Sequence, residues 1–426
     1  MRRILVVGGK RLAGEVQVSG SKNSALPILA ATILTHGMST ISSVPNLLDI
    51  QTMIRVLRSL GIRAEYSQPN IVRTWVNSYV KHVAPYELVT KMRASFFIIG
   101  PLLARTGFAK VPLPGGCAIG SRPVNIHLKG LESLGATVEL EHGFVIVKAK
   151  KLKGERILLD FPSVGATETI MMAASLAEGR TTIENPAKEP EIVDLANFLN
   201  KAGAKIEGVG GEIITIDGVS SLNAVQHKVI PDRIEAGTLM IAAAISRGEV
   251  LIKGLNISHI DSLIIKLKQV GITIDVEENQ VRIKVPDGLK ANDIKTLPFP
   301  GFPTDMQPQM LALLTLAQGT SVITETVFEN RFMHVHELKR MGADIRLEGQ
   351  SAIVNGVQKL QGAPVKSRDL RAGAALMIAG LAADGETLIE DIDRFIERGY
   401  EGLDVKLRSL GADIRELKNI AEYDED

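Results

Sequence analysis

The sequence predicts an α/β protein made of six copies of one repeat of about 70 residues, and two recurring phrases support this prediction. One phrase begins Leu-x-x-x-Gly and occurs six times. The other is an apolar stretch closed by a glycine, and it precedes each copy of the first. The glycines of the first phrase are Gly61, Gly135, Gly203, Gly271, Gly342 and Gly411, and those of the second are Gly37, Gly107, Gly179, Gly248, Gly319 and Gly385.

The apolar stretch of each repeat predicts a buried helix. In ALPILAATIL (25–34), MLALLTLA (310–317) and GAALMIAGLA (373–382), apolar side chains would occupy every side of a helix. A helix without a polar face is buried. Each stretch has about ten apolar residues, too few to span a membrane.

The segment before the second glycine predicts an amphipathic helix followed by a strand. Ile50, Met53 and Leu57 recur at helical spacing, with charged residues between them. The glycine that follows is suited to end this helix in a left-handed conformation. The alternation from Ala343 to Leu347 then predicts a half-buried strand. Each repeat therefore holds one buried helix, one surface helix and a few strands.

Core size predicts that the repeats associate in threes. A repeat of about 70 residues is marginal alone, whereas three together reach an ordinary domain size. We place the break between two lobes after the third copy, near residues 226–228 and Pro231. An open solenoid of six repeats is the alternative.

Composition restricts the classes of partner. The formal net charge is +1 and only 4% of residues are aromatic, which argues against nucleic acid. A single cysteine excludes disulfides and thiolate metal cages. The apolar run near the start of the sequence is too short for the core of a signal peptide. We therefore expect a cytoplasmic protein without membrane insertion.

Polar residues cluster where the predicted buried helices begin. Serine and threonine there are readily explained as helix caps, the interpretation favoured for Ser24, Ser95 and Thr304. Cations are not, because they oppose the helix dipole at an N-terminus. They predict an anionic ligand that carries phosphate or carboxylate. The cations at these starts are Lys22, Arg93, Arg233 and Arg371.

A loop rich in glycine and proline, residues 112–123, predicts a mobile lid. Its centre is Cys117, the only cysteine of the chain, and Arg122 follows five residues later. A lone cysteine is usually a small buried side chain, but a glycine-flanked loop is a poor place to bury one. Cationic surroundings would lower the pKa of this thiol and make it a usable acid or nucleophile.

Taken in order, these clusters resemble the enolpyruvyl transferases, in particular the branch that uses a sugar nucleotide. The resembling motifs are GEVQVSGSKNSALPILAA (14–31), LPGGCAIGSRPVNIH (113–127), DFPSVGAT (160–167), EPEIVD (189–194), PDRIEAGT (231–238), FPTDMQ (302–307), TETVFENRFMHV (324–335), RDLRAGA (368–374) and RGYEGL (398–403). The resemblance implies a two-lobed inside-out α/β barrel with three βαβαββ-like repeats in each lobe. It sets one lobe at 22–229 and the other at 1–21 plus 230–426.

The resemblance also implies a reaction. The enolpyruvyl group of phosphoenolpyruvate is transferred to the 3′-hydroxyl of UDP-N-acetylglucosamine by addition and elimination, and phosphate is released. No metal or cofactor takes part, and the step is the first committed one of peptidoglycan synthesis. Two alternatives stay open: the sibling branch that uses shikimate 3-phosphate, and a catalytically silent paralogue. Oligomeric state is also open.

Site residues follow from the motif positions. Implied as catalytic are Cys117, Asp305, Lys22 and Arg398, with Cys117 as the proton donor to C3 and Asp305 as a candidate base. Implied contacts of phosphoenolpyruvate are Lys22, Asn23, Arg122, Arg371 and Arg398. Implied contacts of the nucleotide sugar are Arg93, Arg122, Pro123, Val124, Asn125, Ile126, Ser163, Val164, Gly165, Asp305 and Val327. Glu189, Asp232, Arg233, Arg331 and Asp369 match cleft positions of unsettled role.

Structural explanations compete with some of these roles. Asp305 could cap a helix, and Arg331 or Arg398 could belong to a surface ion pair. His334 and His336 are spaced at i, i+2, which places them on different faces of a helix, so we expect no metal there. Asn125 stands where the family more often has aspartate, which puts the uracil contact in question.

Overall fold

The computed structural model describes residues 3–77, 79–114, 124–285 and 288–417. The chain divides into two compact units. The insert unit contains the described residues from 20 to 230, and the terminal unit contains those up to 19 and from 231 onwards.

The apolar stretches form the predicted buried helices. In the insert unit these are Lys22–Ala31, Ile99–Thr106 and Val164–Ala174, and in the terminal unit Arg233–Ile245, Gln307–Leu314 and Leu370–Ala382. Short 3₁₀ turns precede two of them, at Arg93–Ile98 and Thr304–Met306. Further 3₁₀ turns cover Thr32–Leu34, Ile257–His259 and Ile396–Arg398.

The amphipathic helices also form where the pattern predicted them. They are Leu48–Ser59, Asn125–Ser133, Pro190–Lys201, Asp261–Gln269, Val335–Arg340 and Leu403–Ser409, with two short helices at Tyr86–Val89 and Ile392–Phe395. The glycine after each amphipathic helix has a positive φ, between 86° at Gly61 and 109° at Gly203. Their predicted role in ending these helices is confirmed, because only glycine adopts this conformation without steric cost.

Each sheet of the insert unit combines strands from one repeat with a parallel outer strand or bridge. In order, the first sheet is Leu222–Asn223, Thr35–Ser42, Ile71–Val76 and Arg63–Ser67, and Gln226–Lys228 also pairs with Thr35–Ser42. The second is Phe108–Pro112, Phe144–Lys148 and Thr137–Glu141. The third is Lys205–Glu207, Ile213–Asp217, Arg180–Glu184 and Arg156–Leu158.

The sheets of the terminal unit follow the same plan. They are Thr273–Glu277, Gln280–Lys284, Glu249–Lys253 and Ala13–Gln17; then Ile294–Lys295, Thr320–Thr324, Ser351–Asn355 and Asp344–Glu348; then Pro364–Lys366, Glu386–Glu390, Arg3–Val7 and Asp413–Leu417. Ala13–Gln17 runs parallel to Glu249–Lys253, whereas Arg3–Val7 is antiparallel to both of its neighbours.

Each unit is closed by strands that pair with a repeat distant from them in the sequence. Residues 226–228, near which the break between lobes was predicted, form a strand on Thr35–Ser42 and so join the third repeat to the first. The N-terminal strands close the terminal unit in the same way. Each unit has its own core, with Leu29, Leu102 and Met171 in the insert unit. In the terminal unit, Met240, Leu313 and Met377 have the same role.

Candidate active site

In the insert unit, Lys22 begins the first buried helix beside a carboxylate. Its Nζ lies 3.4 Å from Asp49 Oδ2, and both side chains are almost fully buried. Ser21, not Ser24, caps this helix, because its hydroxyl accepts from the Ser24 amide at 3.3 Å. Asn23 follows Lys22 and is partly exposed. The buried pair holds the lysine charge at a helix start where the dipole alone would disfavour it.

Ser24 has a different role from the predicted cap. Its hydroxyl donates to Asp194 Oδ2, and the other oxygen of Asp194 lies 2.9 Å from His227 Nε2. The amide of Ile230 also donates to Asp194 at 3.2 Å. The network therefore fixes the first buried helix to the last strand of the insert unit.

The predicted nucleotide-sugar residues include a group that lies around His127. Ser163 caps the third buried helix by accepting from the Ala166 amide, and Val164 and Gly165 are its first residues. A Cβ on Gly165 would lie 3.0 Å from His127 Cε1, so glycine allows a close approach of helix and ring.

His127 itself is a buried neutral ring. Its Nδ1 lies 2.9 Å from Thr169 Oγ1, and its ring packs edge-on against Phe96. Burial, followed by the charge of Arg93, lowers the pKa of His127 to about 3. His127 lies inside a quoted motif, but its burial and contacts have no sequence signal.

Three predicted site residues of the cysteine loop, Cys117, Arg122 and Pro123, lie outside the described residues. Val124 precedes the helix Asn125–Ser133, of which Asn125 is exposed and Ile126 partly buried.

One carboxylate on the third buried helix, that of Glu168, is influenced by two others. Glu168 is 1% exposed in the middle of that helix, and its Oε2 is buried without a hydrogen-bond partner in the described part of the chain. Burial and the negative charges of Glu191 and Glu189 raise the pKa of Glu168 well above its usual value. Glu168 therefore keeps its proton to higher pH than an exposed glutamate does. Sequence analysis missed it, because a glutamate in a helix usually faces solvent.

The principal charged site of the terminal unit is Asp305 between two arginines. Arg331 Nη2 donates to its Oδ1 at 2.8 Å, and Arg371 donates to its Oδ2 from Nη2 at 2.9 Å and from Nε at 3.3 Å. Both arginine side chains are 2% exposed, whereas that of Asp305 is 26% exposed. Burial would raise the pKa of Asp305, but Arg371 and Arg331 together hold it well below its usual value. Asp305 is therefore a paired carboxylate and not a helix cap.

A second carboxylate, that of Glu325, holds the backbone that follows it in the chain. Glu325 is 1% exposed and accepts from the hydroxyls of Thr296 and Thr304, each at 2.8 Å. It also accepts from the amide of Val327 at 2.8 Å. Thr304 is therefore bonded to Glu325 instead of capping a helix. The backbone of Val327 is held in place by Glu325.

Aspartates cap the other two helices of the terminal unit. Asp232 accepts from the amides of Ile234 and Glu235 at 2.9 and 3.0 Å. Asp369 accepts from the amides of Arg371 and Ala372 at 2.8 and 3.1 Å. Both residues thus have a structural role at the helix starts.

The remaining predicted residues differ in their surroundings. Arg233 lies with its guanidinium carbon 5.8 Å from the Phe299 ring centroid. Arg398 is partly exposed and ends a 3₁₀ turn. Arg331 is buried, so the surface-pair explanation is wrong for it. Ser95 was predicted to be a cap, but its hydroxyl is buried without a hydrogen-bond partner in the described residues.

The described residues offer neither a metal cluster nor a membrane-spanning helix. Across the described ranges, no group of three or more histidine, cysteine, aspartate or glutamate residues is arranged to hold a metal. His334 is buried and His336 is exposed, so the two histidines do point apart. None of the helices described is both long and apolar enough to cross a membrane.

Comparison with known proteins identifies the class to which this fold and these charged helix starts belong. Residues 6–418 match the family described as EPSP synthase (3-phosphoshikimate 1-carboxyvinyltransferase). The chain therefore belongs to this family, the enolpyruvyl transferases.

Two relatives narrow the comparison. UDP-N-acetylglucosamine 1-carboxyvinyltransferase 2 of Carboxydothermus hydrogenoformans is 56% identical over 98% of this chain and 100% of its own. UDP-N-acetylglucosamine 1-carboxyvinyltransferase 1 of Halalkalibacterium halodurans is 55% identical over 98% of this chain and 95% of its own.

Solved structures agree with the fold. The enolpyruvyl transferase NikO of Streptomyces tendae superposes with a TM-score of 0.88 at 26% identity, over 97% of this chain and 99% of its own. EPSP synthase of Acinetobacter baumannii has a TM-score of 0.77 at 20% identity, over 98% of this chain and 100% of its own, and supports the fold alone. The predicted family and fold class are confirmed.

Proposed function

We propose that the protein transfers the enolpyruvyl group of phosphoenolpyruvate to the 3′-hydroxyl of UDP-N-acetylglucosamine and releases phosphate. The observation that supports this most strongly is the 56% identity, over nearly the whole chain, to a relative with this activity in its name. The product would enter peptidoglycan synthesis.

We assign the binding of phosphoenolpyruvate to cations. Its phosphate and carboxylate carry negative charge that fixed cations stabilise through the reaction, and we assign this role to Lys22, Arg122, Arg371 and Arg398. The neutral amide of Asn23 would add a hydrogen bond at the reacting centre. Lys22 is already paired with Asp49, so its charge is held in a buried place before any ligand binds.

The first step forms two bonds. The 3′-oxygen bonds to C2 of the enol while C3 gains a proton, for which we propose the Cys117 thiol as donor. The hydroxyl proton leaves toward Asp305. Loss of phosphate from C2 and of a proton from C3 then restores the double bond in the product ether.

The surroundings of Asp305 refine its role. Two guanidinium groups hold the pKa of this carboxylate well below its usual value even though burial opposes them, so it is ionised but weakly basic. Such a group orients the hydroxyl as a hydrogen-bond acceptor and accepts the proton only as C–O bond formation proceeds.

Contacts to the nucleotide sugar would come from three chain segments of the insert unit. We assign them to Arg93 and Val124 to Ile126 together with Ser163, Val164 and Gly165. The close packing of Gly165 against neutral His127 supports this assignment, because it holds the second and third of these segments together. Val327, whose amide donates to Glu325, is the proposed contact in the terminal unit.

The test is inorganic phosphate release from phosphoenolpyruvate with UDP-N-acetylglucosamine, beside shikimate 3-phosphate as the alternative acceptor. We expect release with the sugar nucleotide only, and its loss in Cys117→Ala. Release with shikimate 3-phosphate alone would assign the protein to the sibling branch. Absence of release with both acceptors would contradict the proposed activity.

A further inference from the structure

Tyr400 contacts all three buried helices of the terminal unit. It is 2% exposed and follows Arg398 and Gly399 in the last repeat. Its hydroxyl lies 3.1 Å from Thr238 Oγ1 on the fourth buried helix and accepts from Gln309 Nε2 on the fifth at 3.0 Å. Its ring centroid lies 5.1 Å from the guanidinium carbon of Arg371 on the sixth.

The ring supports a guanidinium that has few other partners. Arg371 donates from Nε and Nη2 to one oxygen of Asp305, and its Nη1 is buried without a hydrogen-bond partner in the described residues. A buried cation requires compensation, and the face of an aromatic ring within about 6 Å supplies it. Tyr400 therefore packs against the guanidinium with which Arg371 reaches Asp305.

The hydroxyl keeps the ring in that plane. Gln309 Nε2 also donates to Thr238 Oγ1 at 3.1 Å, so three side chains from three chain segments form one buried triangle. Burial raises the pKa of Tyr400, although Arg371 opposes this, and the phenol stays neutral at working pH. A neutral phenol adds no charge of its own beside Arg371.

We propose that Tyr400 is a positioning residue for enolpyruvyl transfer: it holds Arg371 against Asp305 and so sets the direction and ionisation of that carboxylate. The inference rests on the role proposed above for Asp305. Other charged groups near the pair are Arg331 on Asp305, and Asp232, which faces Arg371. His334 lies near Arg331 and Asp369.

The test separates the ring from the hydroxyl. Tyr400→Leu removes both, whereas Tyr400→Phe removes only the hydroxyl. The ionisation of Asp305 is followed directly through the NMR signal of its carboxyl carbon, which is assigned by its absence in Asp305→Asn. In parallel, kcat/KM for UDP-N-acetylglucosamine is measured across pH. The matched control is Tyr66→Leu in the insert unit, whose hydroxyl donates to Val44 and Asn70 and not to the site.

We expect Tyr400→Leu to raise the pKa of Asp305, because a loosened cation stabilises the carboxylate less. A change of about tenfold in the ionisation constant should move the acid limb of kcat/KM to higher pH, and the loss of orientation should lower kcat/KM on its plateau. Tyr400→Phe should show a smaller change of the same sign. Tyr66→Leu should leave both quantities as in the wild type.

If Tyr400→Leu does not fold, two variants of similar shape, Tyr400→Phe and a fluorinated phenylalanine at position 400, test the same inference. Trifluorophenylalanine at position 400 weakens the negative ring face without changing its size, so the pKa of Asp305 should exceed that in Tyr400→Phe. Equal pKa values in these two proteins would overturn the inference. Because the NMR signal does not require turnover, an inactive wild type would refute the proposed activity and leave the positioning role to be judged separately.

Discussion

Glu168 lies within a buried helix of the insert unit and Asp305 in the turn before a buried helix of the terminal unit, and the pKa values of these two carboxylates move in opposite directions. Glu168 has two carboxylates for neighbours, and burial and their charges raise its pKa well above the usual value. Asp305 has two guanidinium groups, which overcome burial and lower its pKa. Burial acts on both carboxylates, but the direction of the pKa shift differs because the neighbouring charges differ.

Replacement of each carboxylate by its neutral amide should have the most different effects on stability at Asp305 and Glu168. We expect Asp305→Asn to cost about 3 kcal/mol of unfolding free energy, since it leaves two buried cations without their anion. Glu168→Gln should cost far less at pH 7, because burial and two neighbouring carboxylates favour the neutral form of Glu168, which glutamine resembles. Urea denaturation followed by circular dichroism measures both. Equal losses would show that neighbouring charge does not distinguish the sites.

Removal of one arginine should have nearly as large an effect. Arg371→Met leaves Asp305 with one partner, and breaking a buried pair costs about 3 kcal/mol or more. The control is Arg180→Met, which breaks a pair of similar geometry, 2.7 Å between Nε and Asp217 Oδ1, on an exposed strand. We expect almost no change there, because solvent screens exposed pairs. Similar midpoints for the two variants would contradict this expectation.

The pH dependence of stability should identify Glu168. The folded protein keeps the Glu168 proton to higher pH than the unfolded chain does, so this contribution to stability is full below about pH 4.5 and decreases as pH rises. Glu168→Gln cannot lose a proton. Its melting temperature relative to wild type should therefore increase from pH 5 to pH 9, by about 2–4 °C for each kcal/mol. Exposed Glu141→Gln is the control, and a constant difference would refute the assignment.

The smallest effects are expected at two glycines near the starts of buried helices, Gly373 and Gly165. A Cβ on Gly373 would lie 2.4 Å from Ser367 Oγ and 2.8 Å from Ile396, whereas one on Gly165 would meet His127 and Phe97 at 3.0 and 3.1 Å. We expect Gly373→Ala to cost about 2 kcal/mol and Gly165→Ala about 1 kcal/mol. Gly165→Ala should also raise KM for the sugar nucleotide. A larger loss for Gly165→Ala in thermal unfolding would reverse the order.

The sequence by itself determined the repeat, its two kinds of helix and the glycines that end them. These features depend on local rules, because apolar spacing and a positive φ are properties of short segments. The motifs also identified the family. They placed Lys22, Asp305 and Arg371 among its functional positions, although the roles of these residues remain predictions.

Only the tertiary structure decided which charges meet. Asp305 pairs with Arg331 and Arg371, which are 26 and 66 residues away in the chain, and Tyr400 reaches Arg371 from the last repeat. No local pattern predicts such pairs, because they arise from the packing of three repeats around one core. Ionisation then follows from burial and neighbouring charge, so Glu168 and Asp305 could be distinguished only after folding had given each its neighbours.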